Sequence, residues 1–585
     1  MKMERIEMIK LYCRLILLCI GITVLSCVKS QAAGPEVVVW EHRDTLSVAR
    51  ETTQAFYVMV YTRGEPITGA TSVELKVPAN WQIWPISEAP PPENAAPQTL
   101  NYPCALRQTK DTAGSTDYSA ANAAGNLLLA VRPSAQAEKS TLEVRWLLNQ
   151  QVLAQSRVTL EPLSLPWTIQ PTANEPLRVG MWLSAPRISN AATMAEIYRG
   201  LRRAGINYVI IPKTMYLQSK DILHQLGIKV FINQWWRFDA YVPEAPPEEA
   251  FSTLKDGSID RTRWSPTYMA EGGPAFIKQV EQVADELNQM DGVAGLMLDY
   301  EPTLKGMDTD YGDHSRQSFE KYLGRKVLSW PADVLPKGKD EAAWINFRND
   351  QSEAYVKWFK TILQQRAPKV LLAVSTSGAT GKPNDPNRVL AATDISQLSR
   401  VSDSIHPQLY SWTVKLPAEL PRFMDKLKLG KTTIDGAHTP VYPAVGSLAG
   451  KRPLSDPAYL RTQILYWWFC GADGFEVWQY FYGVGGRYLA MANEMAHLLQ
   501  EAGERPQGSS TQNIILTAQS SNSLEILQRK SSDGKTAWIG LFNFDSKPVE
   551  VPLQTRAGWR LSDTKQATVT IAPWTACVVK CLPSN

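Results

Sequence analysis

The sequence predicts an α/β protein in which a (β/α)8 barrel is flanked by an N-terminal and a C-terminal β-sandwich. Between residues 177 and 505, eight apolar runs alternate with amphipathic helical stretches. On either side of that region, short alternating runs are separated by Gly, Pro and Asn turns, which is typical of sandwiches. The first apolar run of the central region is followed by no Gly-rich phosphate fingerprint, and this disfavours a dinucleotide-binding doubly wound sheet.

Composition limits the classes of function that need to be considered. A chain of 585 residues is long enough for several domains, and with 44% apolar and 20% charged residues it can bury large cores. The net charge of +4 is spread without long basic runs, so no nucleic-acid partner is expected. The 19 Trp and 21 Tyr residues slightly favour a carbohydrate partner, since aromatic faces stack on sugar rings.

Residues 1–33 are interpreted as an export signal. Basic residues precede an apolar run from Leu15 to Leu25, which is short for a membrane span. "VLSC", ending at Cys27, resembles a bacterial lipobox, whereas "SQAA" suits ordinary signal peptidase, and an uncleaved anchor is the alternative to both. The expected location is therefore the periplasm, cell surface or outer membrane of a bacterium, with membrane anchoring through a lipidated Cys27 if the first site is used.

The cysteines outside that signal predict no metal site. Cys104, Cys470, Cys577 and Cys581 lack metal-type spacing and a nearby His cluster. Neither a metal nor another cofactor is expected.

Residues 35–165 are predicted to form the first sandwich, from runs such as "EVVVW", "AFYVMVYT" and "TLEVRWLL". Residues 166–176 form a Pro-containing linker, 177–505 form the barrel, and 510–585 form the second sandwich. The eight barrel strands are predicted in "LRVGMWLS", "INYVIIP", "KVFINQWW", "GVAGLMLDYE", "KVLLAVSTSG", "DSIHPQLYSW", "TPVYPAVGS" and "GFEVWQYF".

Two carboxylates end the fourth of these strands, in "GLMLDYEP", residues 295–302. In such barrels the chemistry lies at the C-terminal ends of the strands. Because side chains alternate, Asp299 and Glu301 share the inward face, while Leu296 and Leu298 face the helices. Two acids roughly 6 to 7 Å apart disfavour ionising together, which suits one of them to be a general acid. The alternative is a loop-capping Asp299 and a solvated Glu301.

Other strand ends supply aromatic and polar side chains of matching parity. On the sixth strand His406, Gln408 and Tyr410 share a face, and on the eighth Glu476 and Trp478 do. If Trp478 points inward, Glu476 lies one layer deeper. The candidate substrate-binding residues, which the alternation places around the barrel mouth, are Trp182, Asn233, Trp235, Trp236, Gln408, Tyr410, Tyr442 and Trp478.

The segment "AGLMLDYE" resembles the fourth-strand motif of glycoside hydrolase family 18, in which alternating acids end in a Glu. The resemblance implies that Glu301 protonates the glycosidic oxygen and that Asp299 supports a substrate acetamido group. "QLYSW" is similar to the family's sixth-strand motif, with Tyr410 matching its Tyr. "GFEVWQY" is similar to its eighth-strand segment, with Trp478 matching its Trp.

The resemblance to family 18 covers only the barrel, and only through short motifs. Ala294 and Met297 stand where the family has its first two acids, and Ser411 replaces the sixth-strand Asp. These departures put substrate-assisted attack by an N-acetyl group in doubt.

A second resemblance concerns the region after the fourth strand. "HSRQSFEKYLG" and "DEAAWINFRNDQSEAYVKWF" are similar to the corresponding stretch of family 42 β-galactosidases and related clan A barrels. Those enzymes use a seventh-strand Glu as nucleophile, whereas "TPVYPAVGS" has no carboxylate. Glu476 is then the inward candidate for the second catalytic acid.

A third mechanism makes Asp299 the nucleophile, with a loop acid as its partner. The loop acids are Asp308, Asp310 and Asp313. Their simpler interpretation is a solvated loop or a calcium site.

Taken together, the motifs predict a glycoside hydrolase that cleaves O-glycosidic bonds of an oligo- or polysaccharide. The expected catalytic residues are Glu301, Asp299 and Glu476. The rival hypotheses are a non-catalytic glycan-binding barrel protein of the cell surface and a structural surface protein. The sequence sets neither the sugar nor the oligomeric state.

Overall fold

The computed structural model describes most of the chain. The described residues are 34–39, 44–62, 67, 69–93, 96–108, 123–171, 175–183, 190–234, 246–299, 309–376, 392–410, 420–446, 457–478, 480, 485–503, 523–555, 558–562 and 568–584.

The described part of the N-terminal region forms two facing five-stranded sheets. The strands are β1 Glu36–Val39, β2 Thr45–Ala49, β3 Gln54–Thr62, β4 Thr71–Val77, β5 Trp81–Pro85, β6 Gln98–Pro103, β7 Arg107–Gln108, β8 Ala123–Pro133, β9 Ser140–Leu148 and β10 Gln151–Leu163. One sheet has the order β1-β3-β8-β5, with β7 paired to β8, and the other has the order β2-β10-β9-β4-β6.

Strict alternation builds the core between these two sheets. In β4, Val73, Leu75 and Val77 are buried, while the intervening Glu74 and Lys76 are only partly covered. Apolar side chains from both sheets meet in one cluster, as a sandwich requires. The predicted sandwich is therefore present.

The central region contains eight parallel strands in the order of the chain. We call them barrel strands one to eight. They are β11 Val179–Trp182, β12 Tyr208–Ile211, β13 Lys229–Gln234, β16 Val293–Leu298, β17 Leu371–Thr376, β18 Ser404–Pro407, β19 Ala444–Gly446 and β20 Phe475–Trp478. Between strands six and seven, the pairs Ile405–Val441 and Gln408–Ala444 bridge the last gap. The barrel is thereby nearly closed, as the sequence predicts.

Helices alternate with the barrel strands and cover them. They are α1 Ala191–Arg203, α2 Lys213–Gln225, α3 Pro266–Ala270, α4 Pro274–Asn288, α5 Asp313–Leu323, α6 Glu341–Arg366, α7 Ile395–Leu398, α8 Leu420–Gly436, α9 Pro457–Cys470 and α10 Gly486–Ala502. Short 3-10 turns occupy Glu248–Ala250 and Ala332–Val334. Asn190 begins α1 by accepting hydrogen bonds from the backbone N–H groups of Ala192 and Thr193. Among the described residues, no helix combines the length and the apolar character needed to cross a membrane.

An insertion that the sequence pattern does not predict lies between barrel strands three and four. Two short strands, β14 Phe251–Thr253 and β15 Ile259–Trp264, form an antiparallel hairpin. The hairpin is tied to the end of the loop after strand four, because Thr253 O accepts from the N–H groups of Asp310 and Tyr311.

The parity of barrel strand four agrees with the prediction. Leu296 and Leu298 pack in the core formed with the helices, whereas Met297 belongs to the apolar cluster inside the barrel. Asp299 is the next residue of the same parity as Met297, immediately after the strand ends. The strand therefore delivers Asp299 to the inward face at the C-terminal end of the barrel.

The C-terminal region is again β-structure. A four-stranded sheet has the order β21-β22-β26-β24, and β23 pairs with β25 over a shared core. The strands are β21 Leu524–Lys530, β22 Ala537–Asn543, β23 Val549–Pro552, β24 Trp559–Leu561, β25 Thr568–Ile571 and β26 Ala576–Pro583. Cys577 and Cys581 lie on the same strand, and both are unpaired thiols.

Both sandwiches pack directly on the barrel. From the N-terminal sandwich, the backbone N–H of Ala55 donates to Tyr480 Oη at 3.2 Å, and Trp84 Nε1 donates to Thr193 Oγ1 at 2.9 Å. Gly486 lets α10 approach β2 closely, since a Cβ there would lie 2.8 Å from the backbone of Val48. The three regions thus share contacts through the helix layer.

Candidate active site

Asp299 is the described carboxylate nearest the barrel mouth on strand four. Only 6% of its surface is exposed, so it lies beneath the mouth instead of in open solvent. Gln408 Nε2 approaches its Oδ1 at 3.5 Å, from strand six across the barrel. A buried carboxylate held by an amide donor is a structured group.

Gln408 is itself fixed by a second contact. Its Nε2 donates to Ser375 Oγ at 3.0 Å, and Ser375 is fully buried on strand five. Strands four, five and six thus meet through three polar side chains at the mouth. The sequence analysis named Gln408 but missed Ser375, because a lone serine at the end of an apolar run carries no distinctive pattern.

Two aromatic rings from strands six and eight lie together at the mouth. Tyr410 and Trp478 have ring centroids 5.6 Å apart with a 37° angle between planes. Both side chains are half-buried, so part of each ring surface is covered and part is open. Such a pair offers the apolar surface on which a sugar ring can stack.

Glu476 lies one layer below Trp478, as the parity of strand eight predicts. It is 0% exposed, and both of its carboxylate oxygens are engaged. Trp182 Nε1 donates to Oε2 at 2.7 Å, and His406 Nδ1 is 2.6 Å from Oε1. His406 Nε2 in turn lies 2.7 Å from Ser404 Oγ. These four residues form a continuous hydrogen-bonded chain inside the barrel.

The surroundings of Glu476 are aromatic. Burial, and secondarily the nearby Glu476 carboxylate, raise the pKa of Tyr208 well above its usual value. Burial also raises the pKa of Tyr442, with smaller contributions from Asp473 and Glu476. Both phenols therefore stay protonated near neutral pH and carry no charge into the barrel interior.

The expected rim position of Tyr442 is wrong. Strand seven begins only at Ala444, which pairs with Glu476, so Tyr442 precedes the strand and lies below that layer. Its ring stacks on His406 with centroids 5.1 Å apart, and it is 6% exposed. Tyr442 is therefore part of the packed interior.

The remaining predicted site residues divide into two groups. Asn233, on strand three, is half-buried, and its Oδ1 has no hydrogen-bond partner within the described part of the chain. Glu301, Trp235 and Trp236 lie outside the described residues, and their roles remain predictions.

The loop acids after strand four have different environments. Asp310 is 1% exposed and accepts from Thr267 Oγ1 at 2.6 Å and from Arg348 Nη1 at 3.3 Å. Asp313 begins α5 and is exposed, and Asp308 lies outside the described residues. Asp310 is committed to a buried ion pair, so it is not free to assist Asp299.

The described residues hold no group of three or more His, Cys, Asp or Glu side chains arranged to bind a metal ion. The four thiols among them, Cys104, Cys470, Cys577 and Cys581, are all unpaired. Burial raises the pKa of Cys104 to about 11 and that of Cys470 to about 12, so both stay protonated near neutral pH.

Comparison with known proteins gives distant structural similarities. No protein-family model and no curated protein matches the sequence. The β-galactosidase from the psychrophilic Marinomonas ef1 aligns with a TM-score of 0.41 and 14% identity, over 55% of this chain and 59% of that enzyme. The PgaB (BpsB) glycoside hydrolase domain from Bordetella bronchiseptica aligns with a TM-score of 0.40 and 10% identity, over 52% and 95%. A cycloisomaltooligosaccharide glucanotransferase from Paenibacillus sp. aligns with a TM-score of 0.44 and 9% identity, over 94% and 99%.

The matched structures are glycoside hydrolases and a glycosyl-transferring enzyme, and the similarity is distant throughout. The alignment spans little more than half of the length of the Marinomonas enzyme. The barrel assignment rests on the strand order of this chain itself. The resemblance to family 18 stays a prediction, because residues 300–308 and 411–419, which carry part of its motifs, lie outside the described residues.

Proposed function

We propose that this protein is a glycoside hydrolase that acts on an oligo- or polysaccharide at the C-terminal end of its barrel. The observation that carries the proposal is the position of Asp299. It follows barrel strand four on the inward face, is buried, and is contacted by Gln408 from strand six. A carboxylate in that position, in a barrel of this architecture, lies where such enzymes keep their reacting groups.

Glu301 is the proposed general acid and base. It follows Asp299 by two residues, and a chain that continues extended would direct both side chains to the same face. The charge of a buried Asp299 then disfavours ionisation of Glu301, so that Glu301 keeps the proton it must give to the leaving oxygen. Asp299 serves as its electrostatic partner or as the nucleophile.

The aromatic pair Tyr410 and Trp478 is the proposed stacking surface for the sugar. Trp235 and Trp236 extend this proposal from strand three, and Asn233 Oδ1 supplies an acceptor for a sugar hydroxyl. The chemistry requires no cofactor. We also propose that residues 1–33 direct export of the protein and that Cys27 is a lipid attachment site. Export would place the enzyme in contact with an extracellular or periplasmic glycan.

The test replaces Glu301 with Gln, which keeps the shape of the side chain and removes the acidic carboxyl proton. We expect E301Q to lose hydrolysis of a responsive chromogenic glycoside by about 10²-fold or more, because a missing general acid has effects of that order. Binding of the same glycan, measured by calorimetry, should be retained. The matched control is E138Q, which removes an exposed Glu from the N-terminal sandwich and should hydrolyse at the wild-type rate.

One observation favours a second candidate, a non-catalytic glycan-binding barrel. Strand seven, Ala444–Gly446, ends without a carboxylate, and Glu476 has both oxygens engaged below the mouth. A wild-type protein that binds glycans and cleaves none across a broad panel would replace the hydrolase with this alternative. Undiminished hydrolysis by E301Q would instead remove Glu301 from the proposal.

A further inference from the structure

Glu476 is inaccessible from the barrel mouth. A catalytic nucleophile or acid must reach the anomeric centre or the leaving oxygen of a substrate. Glu476 is 0% exposed, and the layer above it on the same strand is occupied by Trp478. Its two oxygens already accept from Trp182 Nε1 at 2.7 Å and contact His406 Nδ1 at 2.6 Å. Attack on a sugar would require at least one of these contacts to break.

The contacts of Glu476 tie three strands of the barrel together. Trp182 is the last residue of strand one, His406 lies on strand six, and Glu476 lies on strand eight. His406 is held at its second nitrogen by Ser404 Oγ at 2.7 Å. The imidazole therefore has a fixed orientation, and it fixes the strand that carries it.

Strand six transmits this constraint to the candidate site. Two residues beyond His406, on the same face, Gln408 contacts both Asp299 and Ser375. Two residues further, Tyr410 lies against Trp478. The buried chain from Trp182 to Ser404 thus lies directly below the groups that surround Asp299.

The buried charge of Glu476 explains why this hydrogen-bonded chain of side chains is sensitive to substitution. A carboxylate without solvent is stable only when hydrogen bonds or a counter-charge satisfy it. The partners of Glu476 are one indole N–H and one imidazole, and the rings of Tyr208 and Tyr442 pack around the imidazole with centroids 6.5 and 5.1 Å away. Removal of the carboxylate would release both Trp182 and His406.

We propose that Glu476 is a positioning residue and not the second catalytic carboxylate. It holds the indole of Trp182 at the end of strand one. Through His406 it also holds the segment of strand six that carries Gln408 and Tyr410. The inference deepens the proposed hydrolase function and rests on it for its kinetic consequences, but not for its structural ones. It leaves the acids that follow strand four to perform the chemistry.

The kinetic test uses E476Q together with W182F. A Gln at 476 can accept from Trp182 and donate to His406 in its other tautomer, which then donates to Ser404, so the shape is kept and the charge is lost. W182F removes the donor and keeps an aromatic ring. Because E476Q keeps both contacts, we expect its kcat to stay within about tenfold of the wild-type value, whereas W182F, which breaks the contact with Glu476, should raise KM several-fold.

A catalytic nucleophile would behave differently in the same assay. Its loss lowers kcat by about 10⁴-fold or more, and a small anion such as azide restores turnover in the Glu-to-Gln or Glu-to-Ala variant. That result for E476Q would overturn the inference. W182F keeps the test decisive if E476Q fails to fold, because an unchanged KM in W182F would also contradict the proposed role of the Trp182 contact.

A spectroscopic arm does not depend on activity. In protein labelled with 5-fluorotryptophan, the 19F resonance of Trp182 is identified by its absence in W182F. We expect this resonance to shift in E476A, which removes the acceptor of the indole N–H, and to stay in place in E138Q, a control that removes an exposed Glu from the N-terminal sandwich. An unshifted resonance in E476A would overturn the positioning role. If the wild type cleaves no glycan, the proposed function fails while this arm still decides the inference.

Discussion

At the scale of single residues, the barrel interior pairs glycines with large rings. A Cβ on Gly180 would lie 2.3 Å from Cζ of Tyr208, and a Cβ on Gly295 would lie 2.2 Å from Cε1 of Phe231. Each glycine thus makes room for a ring from the neighbouring strand. Interiors packed at this density tolerate no extra methyl group without a shift of the neighbours.

Gly295 on barrel strand four gives the sharpest test of this packing. We expect G295A to lower the thermal midpoint measured by calorimetry, because an added methyl group in a full core costs about 1–3 kcal/mol. The new Cβ would also lie 2.9 Å from the carbonyl oxygen of Leu371. Because this oxygen belongs to the backbone, it cannot move away as readily as a side-chain atom.

The matched control is G436A at the end of α8. A Cβ at Gly436 would have no heavy atom within 4 Å, so we expect a midpoint no lower than that of the wild type. Equal midpoints for G295A and G436A would show that strand four has more space than the structure gives it.

Alternation allowed the sequence to predict which residues of strand four face inward, and the structure agrees for Leu296, Met297 and Leu298. It could not predict the depth of Tyr442, since depth depends on where strand seven begins, and the apolar run there gives no marker. Nor could it predict the contact of His406 with Glu476, which lie 70 positions apart in the chain. Such contacts depend on the tilt and register of the closed barrel.

At the scale of elements, a buried polar cluster joins the helices that follow strands three and four. Asp310 accepts from Thr267 in α3 and from Arg348 in α6, and Gln351 donates to Thr267 Oγ1 at 2.8 Å. Asp310 has a φ of 78°, a conformation that Asp and Asn tolerate better than other side chains with a Cβ. The cluster fixes the end of the loop that begins near Asp299.

The negative charge of Asp310 stabilises this buried polar cluster. We expect D310N to destabilise the protein by about 3–5 kcal/mol, because it leaves the cation of Arg348, 1% exposed, without its counter-charge. Asn fits the backbone at this position, so the loss reports the ion pair and not strain. Urea unfolding followed by circular dichroism measures the change.

The D291N variant, which removes an exposed acid from the turn before strand four, should unfold at the wild-type urea concentration. If D310N also unfolds at the wild-type urea concentration, other contacts stabilise the Arg348 cation, and Asp310 does not fix the end of the loop.

Periodicity predicted all eight barrel strands, because each is a short apolar run bounded by turn residues, and it predicted that helices alternate with them. The hairpin formed by Phe251–Thr253 and Ile259–Trp264 escaped prediction. Its strands are short, and β15 carries polar residues at most positions, so no alternation marks it. Tertiary contact with the loop after strand four stabilises it instead.

At the scale of the whole molecule, the C-terminal sandwich is fastened to the barrel by Arg529. Its guanidinium donates to the carbonyl oxygens of Trp468 and Ala472 at 2.6 and 3.1 Å, both at the end of α9 or just beyond it. It also lies 4.9 Å from the centre of the Trp468 ring. The side chain is 7% exposed, so water cannot replace these bonds.

We expect R529A to destabilise this interface by about 3 kcal/mol, because two buried carbonyl groups lose a charged donor. Calorimetry should show the thermal transition of the C-terminal sandwich moving to lower temperature. K535A, which removes an exposed cation from the turn after the same strand, should leave the profile unchanged. An unchanged profile for R529A as well would mean that the aromatic contacts alone hold the interface.

The order of the regions along the chain could be read from the sequence, since alternating runs, a Pro-containing segment and βα repeats follow one another. Their mutual contacts could not. Arg529, for example, appears in the sequence as an ordinary charged residue of the exposed face of a strand. Only the approach of α9 converts it into a buried donor.

The junction between barrel strands six and seven has a consequence for motion. Every other neighbouring pair in the barrel forms a ladder of paired strand residues, whereas here only isolated bridges occur, and the backbone bonds join Ile405 N to Pro440 O, Tyr442 N to Ile405 O and Leu409 N to Ala444 O. Local opening follows the least protected hydrogen bonds. The barrel is therefore least continuously bonded between strands six and seven, and Gln408 lies at this junction. Local opening of the junction would change the width of the barrel mouth beside Asp299.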